Sequence, residues 1–285
     1  MKTVKDIQHV ATIGAGVMGR GIALVAALSG YKSTVYDIHP QMLDEANAYF
    51  KKYLSDSVSR GKMTEETRDQ VLARLHSTST LTDLKADVVI EAILENLELK
   101  QRVLREVEAI NEPETIIASN TSTIPITRIG AGLTRPGQVV GMHFFNPAPI
   151  MKLVEVIAGA ATEEWVTETT KALAEKMGKT AVLVQDEPGF IVNRVARHYY
   201  LESLKALEER VADVETIDRL MENIGFKMGP FKLMDLIGVE TNHEVTKSLY
   251  AAFFQDEKFR PSRVQQKKVD AGHFGRKSGR GFYIY

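Results

Sequence analysis

Cysteine is absent from all 285 residues, which removes disulfides, thiolate zinc sites and thiol nucleophiles together and fits a reducing compartment. A dominant charge is missing too: 36 basic against 37 acidic residues leave a net −1, without the basic excess that grips a nucleic-acid backbone. No apolar run reaches the roughly 18 residues needed to span a bilayer. Residues 1–10 mix charged and apolar positions and run straight into a strand pattern, so no signal peptide is expected. No internal repeat or low-complexity tract interrupts the chain. What remains is the expectation of a soluble, cytoplasmic protein, 44% hydrophobic, with core enough for two ordinary domains and small molecules as partners.

Residues 10–13 form an apolar run ending at Gly14-Ala15-Gly16, and residues 18–28 then repeat apolar positions at helical spacing, giving strand, turn and helix. Residues 33–36, 88–90, 115–118, 139–143 and 153–157 read as further strands, and 41–60 and 97–110 as helices. Thr64, with Glu66 and Thr67 behind it, caps another helix. Such alternation predicts an α/β domain, a Rossmann-type doubly wound sheet, mostly parallel and covered on both faces. Past Val182 the texture changes. Gln185-Asp186-Glu187-Pro188-Gly189 is a polar breaker, and residues 191–269 carry helical periodicity punctuated by Gly225, Gly229-Pro230 and Gly238. The expected division is therefore residues 1–186 for the sheet domain and 187–285 for a smaller all-helical domain.

Gly14-Ala15-Gly16-Val17-Met18-Gly19 fits G-x-G-x-x-G, in which one glycine makes the turn, the next admits a pyrophosphate and the third lets helix pack on strand. Alone the pattern is weak. Here a strand precedes it, a helix whose N-terminal amides suit an anion follows, and Asp37 stands at the end of the second strand pattern. Asp37 can accept hydrogen bonds from ribose hydroxyls and would repel the extra phosphate of NADP, with no arginine directly beside it, so the cofactor is expected to be NAD.

Hydride chemistry needs a group to take the hydroxyl proton. Among seven histidines, His143 ends the strand pattern 139–142, where ligand-facing residues of open α/β sheets cluster. A lone histidine is more often a surface or satisfied core residue. Glu155, however, lies inside the β-branched run Leu153-Val154-Glu155-Val156-Ile157, where a carboxylate is costly to bury without a cation or strong donor. A nearby His143 would satisfy it, and the pair would fix the imidazole tautomer and stabilise the imidazolium formed on proton uptake.

Several stretches together resemble the 3-hydroxyacyl-CoA dehydrogenase family, short single-function type, over essentially the whole chain. They are Gly14 to Gly19, Glu91-Ala92-Ile93-Leu94-Glu95-Asn96-Leu97, Ser119-Asn120-Thr121-Ser122, His143-Phe144-Phe145-Asn146-Pro147-Ala148-Pro149, Met151-Lys152-Leu153-Val154-Glu155-Val156, Pro188-Gly189-Phe190-Ile191-Val192-Asn193-Arg194, Met228-Gly229-Pro230-Phe231 and the closing Gly275-Arg276-Lys277-Ser278-Gly279-Arg280-Gly281-Phe282-Tyr283. The resemblance implies His143 as general base and Glu155 as its orienting partner. It also implies that Ser122 and Asn193 hydrogen-bond the reacting oxygen, Asn193 from the helical domain; Ser122 by itself reads equally as a turn or cap. Glu95, Lys100, Asn146 and Lys277 would lie near the cofactor, although Glu95 and Lys100 alone read as a solvent-facing helix pair. Tyr53 and Arg60 would contact CoA, with Lys51, Lys52 and Lys62 close by. No metal is implied. A homodimer through the helical domain and a place in fatty-acid β-oxidation are implied.

The expected reaction is NAD-dependent, reversible oxidation of a short (S)-3-hydroxyacyl-CoA, such as 3-hydroxybutyryl-CoA, to the 3-oxoacyl thioester. Alternatives are a 3-hydroxyadipyl thioester, whose distal carboxylate Arg197 and His198 could meet, a free hydroxy or sugar acid, or a dinucleotide-binding protein without turnover.

Overall fold

β-Branched runs buried on both faces and helices with one apolar face alternate through the first two-thirds of the chain, and they fold as that pattern dictates. The computed structural model describes residues 1–285, and the chain divides into two units, Met1–Glu187 and Pro188–Tyr285.

The first unit contains β1 (His9–Ile13), α1 (Val17–Leu28), β2 (Lys32–Tyr36), α2 (Pro40–Ser59), α3 (Glu65–Arg74), β3 (Leu75–Thr78), β4 (Val88–Glu91), α4 (Leu97–Ile110), β5 (Ile116–Ser119), α5 (Ile126–Gly130), β6 (Val139–Phe144), β7 (Leu153–Ala158), α6 (Glu164–Lys176) and β8 (Thr180–Gln185). The strands form one sheet in the order β3-β2-β1-β4-β5-β6-β7-β8. Every neighbouring pair is parallel except β6 and β7, which run antiparallel. The first six strands thus have the doubly wound order whose direction of travel reverses between β1 and β4, opening a crevice at their carboxyl ends. The strands read from sequence are all present. β3 and β8 were not anticipated, because both are sheet edges whose half-exposed residues lack a buried apolar run. Val88, Val89 and Ile90 of β4 are fully buried, which is why this strand reads as continuously apolar.

The second unit is helical, with α7 (Val192–Glu208), α8 (Val214–Asn223), α9 (Pro230–Ile237), α10 (Val239–Ala252) and α11 (Arg263–Asp270). Asp213 and Ser262 cap α8 and α11 through their side chains. Tyr200, Leu204, Phe231 and Met234 make its core. Two buried aspartates organise the rest. Asp218 accepts from the Phe231 and Lys232 amides at the start of α9 at 2.9 Å each and from the Tyr283 hydroxyl at 2.8 Å. Asp235 accepts from the amides of Phe282 and Tyr283 at 2.9 Å. The glycine-rich closing motif follows from that packing: a Cβ on Gly281 would stand 2.0 Å from Asp235 Oδ1, and one on Gly275 2.2 Å from the Asp235 carbonyl oxygen.

No helix is long and apolar enough to cross a membrane.

Candidate active site

The glycine turn closes as its spacing requires. Gly14 has φ +94°, and its amide donates to the Tyr36 carbonyl at 2.7 Å. A Cβ at Gly19 would lie 1.7 Å from the Gly14 carbonyl oxygen, whereas one at Gly16 would meet nothing within 4 Å. Gly19 therefore serves close packing of α1, and Gly16 leaves open space in front of it. Gly16 also begins α1 without a side-chain cap, so first-turn amides remain for an anion, with the helix dipole behind them. Val17 is exposed on that first turn, and Met18 packs partly against the core. Asp37 Oδ2 accepts from the Ala15 amide at 2.8 Å and Oδ1 from the His39 amide at 3.0 Å. These bonds plant the carboxylate beside the turn and leave lone pairs for a ribose diol. The open turn, the uncapped helix and the placed acid fit NAD.

Three strands along the sheet from β1, the antiparallel pairing of β6 with β7 sets His143 directly opposite Glu155. Opposed residues of an antiparallel pair put their side chains on one face a few ångströms apart. His143 Nδ1 lies 2.7 Å from Glu155 Oε2, both groups buried. Nδ1–H donates to that carboxylate, which leaves Nε2 as the proton acceptor of the neutral ring. Nε2 in turn lies 3.1 Å from Ser122 Oγ. Ser122 sits in the loop between β5 and α5, and Asn120 of that loop accepts from the Phe144 amide at 2.8 Å, tying it to the strand that carries His143. The connection from β6 to β7 is held from beneath by Lys179, whose ammonium donates to the carbonyls of Ala148 at 2.5 Å and Met151 at 2.9 Å. Burial, with Lys152 nearby, lowers the Lys179 pKa.

Glu95 and Lys100 are not a solvent-facing pair. Lys100 is 1% exposed and its ammonium lies 2.7 Å from Glu91, which is fully buried, and 3.2 Å from Glu95. Glu95 precedes the Asn96 cap of α4, so the two are not successive turns of one surface. Asn146 is exposed just after β6. Tyr53 packs its ring on the core beneath α2, 6.1 Å from that of Tyr49, while Arg60 is exposed at the end of the same helix.

In the second unit, Asn193 lies in the first turn of α7 and Lys277 pairs with Glu240. Arg197 faces the unit's interior at 2% exposure, donating to the Asn242 carbonyl and to Thr246 Oγ1 at 2.9 Å each, its guanidinium over the Tyr200 ring. No carboxylate pairs with it; burial lowers its pKa to about 10, so it stays a cation at neutral pH. His198 stacks near Phe259 instead.

A model of the NAD-binding domain of 3-hydroxyacyl-CoA dehydrogenase matches residues 9–187, and the model of that dehydrogenase's C-terminal domain matches residues 189–285. The chain belongs to the 3-hydroxyacyl-CoA dehydrogenase family. It is 47% identical over 280 residues to 3-hydroxyadipyl-CoA dehydrogenase of Escherichia coli, covering 98% of this chain and 59% of that relative's length. A probable 3-hydroxybutyryl-CoA dehydrogenase of Bacillus subtilis is 44% identical over 98% of both chains. The crystal structure of (S)-3-hydroxybutyryl-CoA dehydrogenase from Ralstonia eutropha superposes with a TM-score of 0.95 at 38% identity, covering 98% of this chain and 99% of that one. The 3-hydroxyacyl-CoA dehydrogenase assignment thus spans both units. Beyond the residues given roles from the sequence, this chain's site draws on Asn120, Thr121, Thr123 and Lys179; the first two lie in a matching stretch but, like the others, act through a contact made only by the fold.

Proposed function

We propose that the protein oxidises the 3-hydroxyl of a short (S)-3-hydroxyacyl thioester of coenzyme A, reversibly, with 3-hydroxybutyryl-CoA as its first substrate. The observation that supports this most directly is the hydrogen-bonded line Ser122, His143, Glu155, a base with an orienting acid and a hydroxyl donor beside it. NAD, held at Gly14–Gly19 and Asp37, supplies the hydride acceptor. Nε2 of His143 takes the substrate hydroxyl proton, and Glu155 stabilises the imidazolium so formed. The Ser122 hydroxyl donates to the same substrate oxygen and stabilises the negative charge that develops there. Asn193 is assigned as a second donor to that oxygen, on the family resemblance. Oxidation takes the neutral imidazole and reduction the imidazolium, so the two directions run with opposite pH trends.

Exposed Arg60, with half-buried Tyr53 on the same helix, is assigned to CoA. A homodimer through the helical unit is supported by exposed Leu220, Ile224 and Phe226 in and after α8, an apolar patch that a second copy would cover; light scattering on the purified chain reads the assembly. A cytoplasmic location suits the missing cysteines and the absence of a spanning helix.

A dicarboxylic thioester is the second reading, favoured by the E. coli relative's name; Arg197, a buried cation without a carboxylate, is turned into the helical unit's interior and meets a distal carboxylate only if its bonds to Asn242 and Thr246 open. Unchanged discrimination between 3-hydroxybutyryl and 3-hydroxyadipyl thioesters in Arg197→Ala removes Arg197 from that choice.

The deciding experiment follows NADH absorbance while the protein reduces acetoacetyl-CoA, beside free acetoacetate and a His143→Ala variant. Loss of NADH with the thioester only, abolished in the variant, is the expected result. Turnover of the free acid moves the protein to hydroxy acids, and no turnover of either leaves a bulkier thioester, the dicarboxylic one included, or a dinucleotide-binding protein.

A further inference from the structure

Ser122 lies in an irregular segment, and no strand or helix of its own fixes where its hydroxyl points. Four donors of that segment converge on one oxygen. Glu95 Oε1 accepts from Thr121 Oγ1 at 2.5 Å and from the Ser122 amide, the Thr123 amide and Thr123 Oγ1 at 3.0 Å each. Four donors crowd the two lone-pair directions of one oxygen, an arrangement that suits a carboxylate because its negative charge strengthens each bond. The other carboxylate oxygen, Oε2, faces Lys100 at 3.2 Å. Lys100 is anchored in turn on buried Glu91 at 2.7 Å, and Glu91 also accepts from the Ser119 hydroxyl at 2.7 Å and from the Ile93 amide at 2.7 Å. One ammonium therefore bridges two carboxylates, and the chain of bonds runs from the last residue of β4 into the Ser122 loop. Glu95 keeps its charge there. Burial raises its pKa, but the Lys100 charge and the Thr121 and Thr123 hydroxyls outweigh burial and leave it below the ordinary range.

We propose that Glu95, locked by Lys100, is a positioning residue that holds the Ser122 loop so that the Ser122 hydroxyl stands against His143. The role rests on the proposed dehydrogenase reading and differs from a contact of Glu95 with the cofactor. A cofactor contact acts on NADH affinity, whereas positioning acts through Ser122.

Glu95→Gln keeps the side-chain length and removes the charge. Its kcat for acetoacetyl-CoA reduction should fall about 10- to 100-fold, the scale set by misplacing a catalytic group by an ångström, while KM for NADH changes less than about threefold. In a Ser122→Ala background the same substitution should cost almost nothing further, because the group it positions is gone. Effects that multiply in the double variant, or a Glu95→Gln defect confined to KM for NADH, overturn the proposal. Amide hydrogen exchange at Ser122 and Thr123 reads the positioning without substrate. Exchange at both should quicken about tenfold or more in Glu95→Gln as the segment loosens, and unchanged exchange overturns the proposal even if the acyl substrate has been misassigned. Should Glu95→Gln fail to fold, Thr121→Val removes one donor and keeps the shape. The same exchange change and a smaller fall in kcat are then expected, and wild-type behaviour in both overturns the proposal. Wild-type turnover of acetoacetyl-CoA is judged separately, so failure of the activity and failure of the positioning role are distinct results.

Discussion

At His143 the chemistry turns on which ring nitrogen carries the proton. Glu155 answers that by accepting from Nδ1 at 2.7 Å, and a glutamine in its place could offer its amide N–H to Nδ1 and turn the ring to the other tautomer. Glu155→Gln is expected to lower kcat for thioester oxidation by about 100-fold or more, with KM for NAD within about threefold of wild type. Steady-state rates at saturating thioester decide it, and an unchanged kcat removes Glu155 from the orienting role. This pair was legible in the sequence because a carboxylate in a β-branched run announces its own need of a partner. Glu91 and Lys100 announced nothing: charges around a helix start are ordinarily solvated, and only the sheet above Glu91 makes this ammonium interior.

At the scale of elements, the antiparallel turn from β6 to β7 brings base and acid face to face. Alternation reveals that residues 153–157 form a strand, but strand direction leaves no mark on a run buried on both faces, so the reversal inside a mostly parallel sheet was not readable. Lys179 staples that turn through the Ala148 and Met151 carbonyls, and it immediately precedes β8, an edge strand missed for its exposed positions. Lys179→Met keeps the aliphatic stem and leaves both carbonyls without their donor. A loss of about 1–3 kcal/mol is expected, read as a lower urea midpoint by the fluorescence of Trp165, the sole tryptophan, in α6 of the same unit. Because the turn follows His143 directly, kcat should fall as well; wild-type stability would show the ammonium to be dispensable to the turn.

For the whole molecule, the two units differ in which perturbed groups weigh most: carboxylates held by several donors in the first, and in the second the most strongly raised phenols, beside smaller rises at Tyr31, Tyr36 and Tyr49 of the first. In the first unit, buried Glu108 has a lowered pKa: burial raises it, but the Thr134 amide and hydroxyl and the Arg135 amide outweigh that. Asp87 is lowered in the same way, the Lys2 ammonium and the Gln8 and His9 amides overcoming its burial. A carboxyl depressed on folding contributes stability above its unfolded pKa that is lost as pH falls through the folded value. In the second unit, burial with Asp218 nearby raises the Tyr199 pKa to about 12, and burial with the Asp218 hydrogen bond raises that of Tyr283. A phenol raised on folding keeps its full contribution below the unfolded value and loses it as pH climbs toward the folded one. Of the second unit's lowered carboxylates, Asp213, Glu222 and Asp256 lie at the solvent surface, where screening makes their contributions small, and Glu240 is partly buried, its burial outweighed by the bond from Lys277. Acid should therefore weaken the first unit before the second, and alkali the second before the first. Urea midpoints from Trp165 fluorescence, which reports the first unit alone, and from far-ultraviolet ellipticity, to which the helices of both units contribute, test this at about pH 4, 7 and 11. The fluorescence midpoint should fall further than the ellipticity midpoint at the acid end and less far at the alkaline end. Midpoints that shift together at both extremes would mean that the units unfold as one, with their titrating groups acting on a common transition.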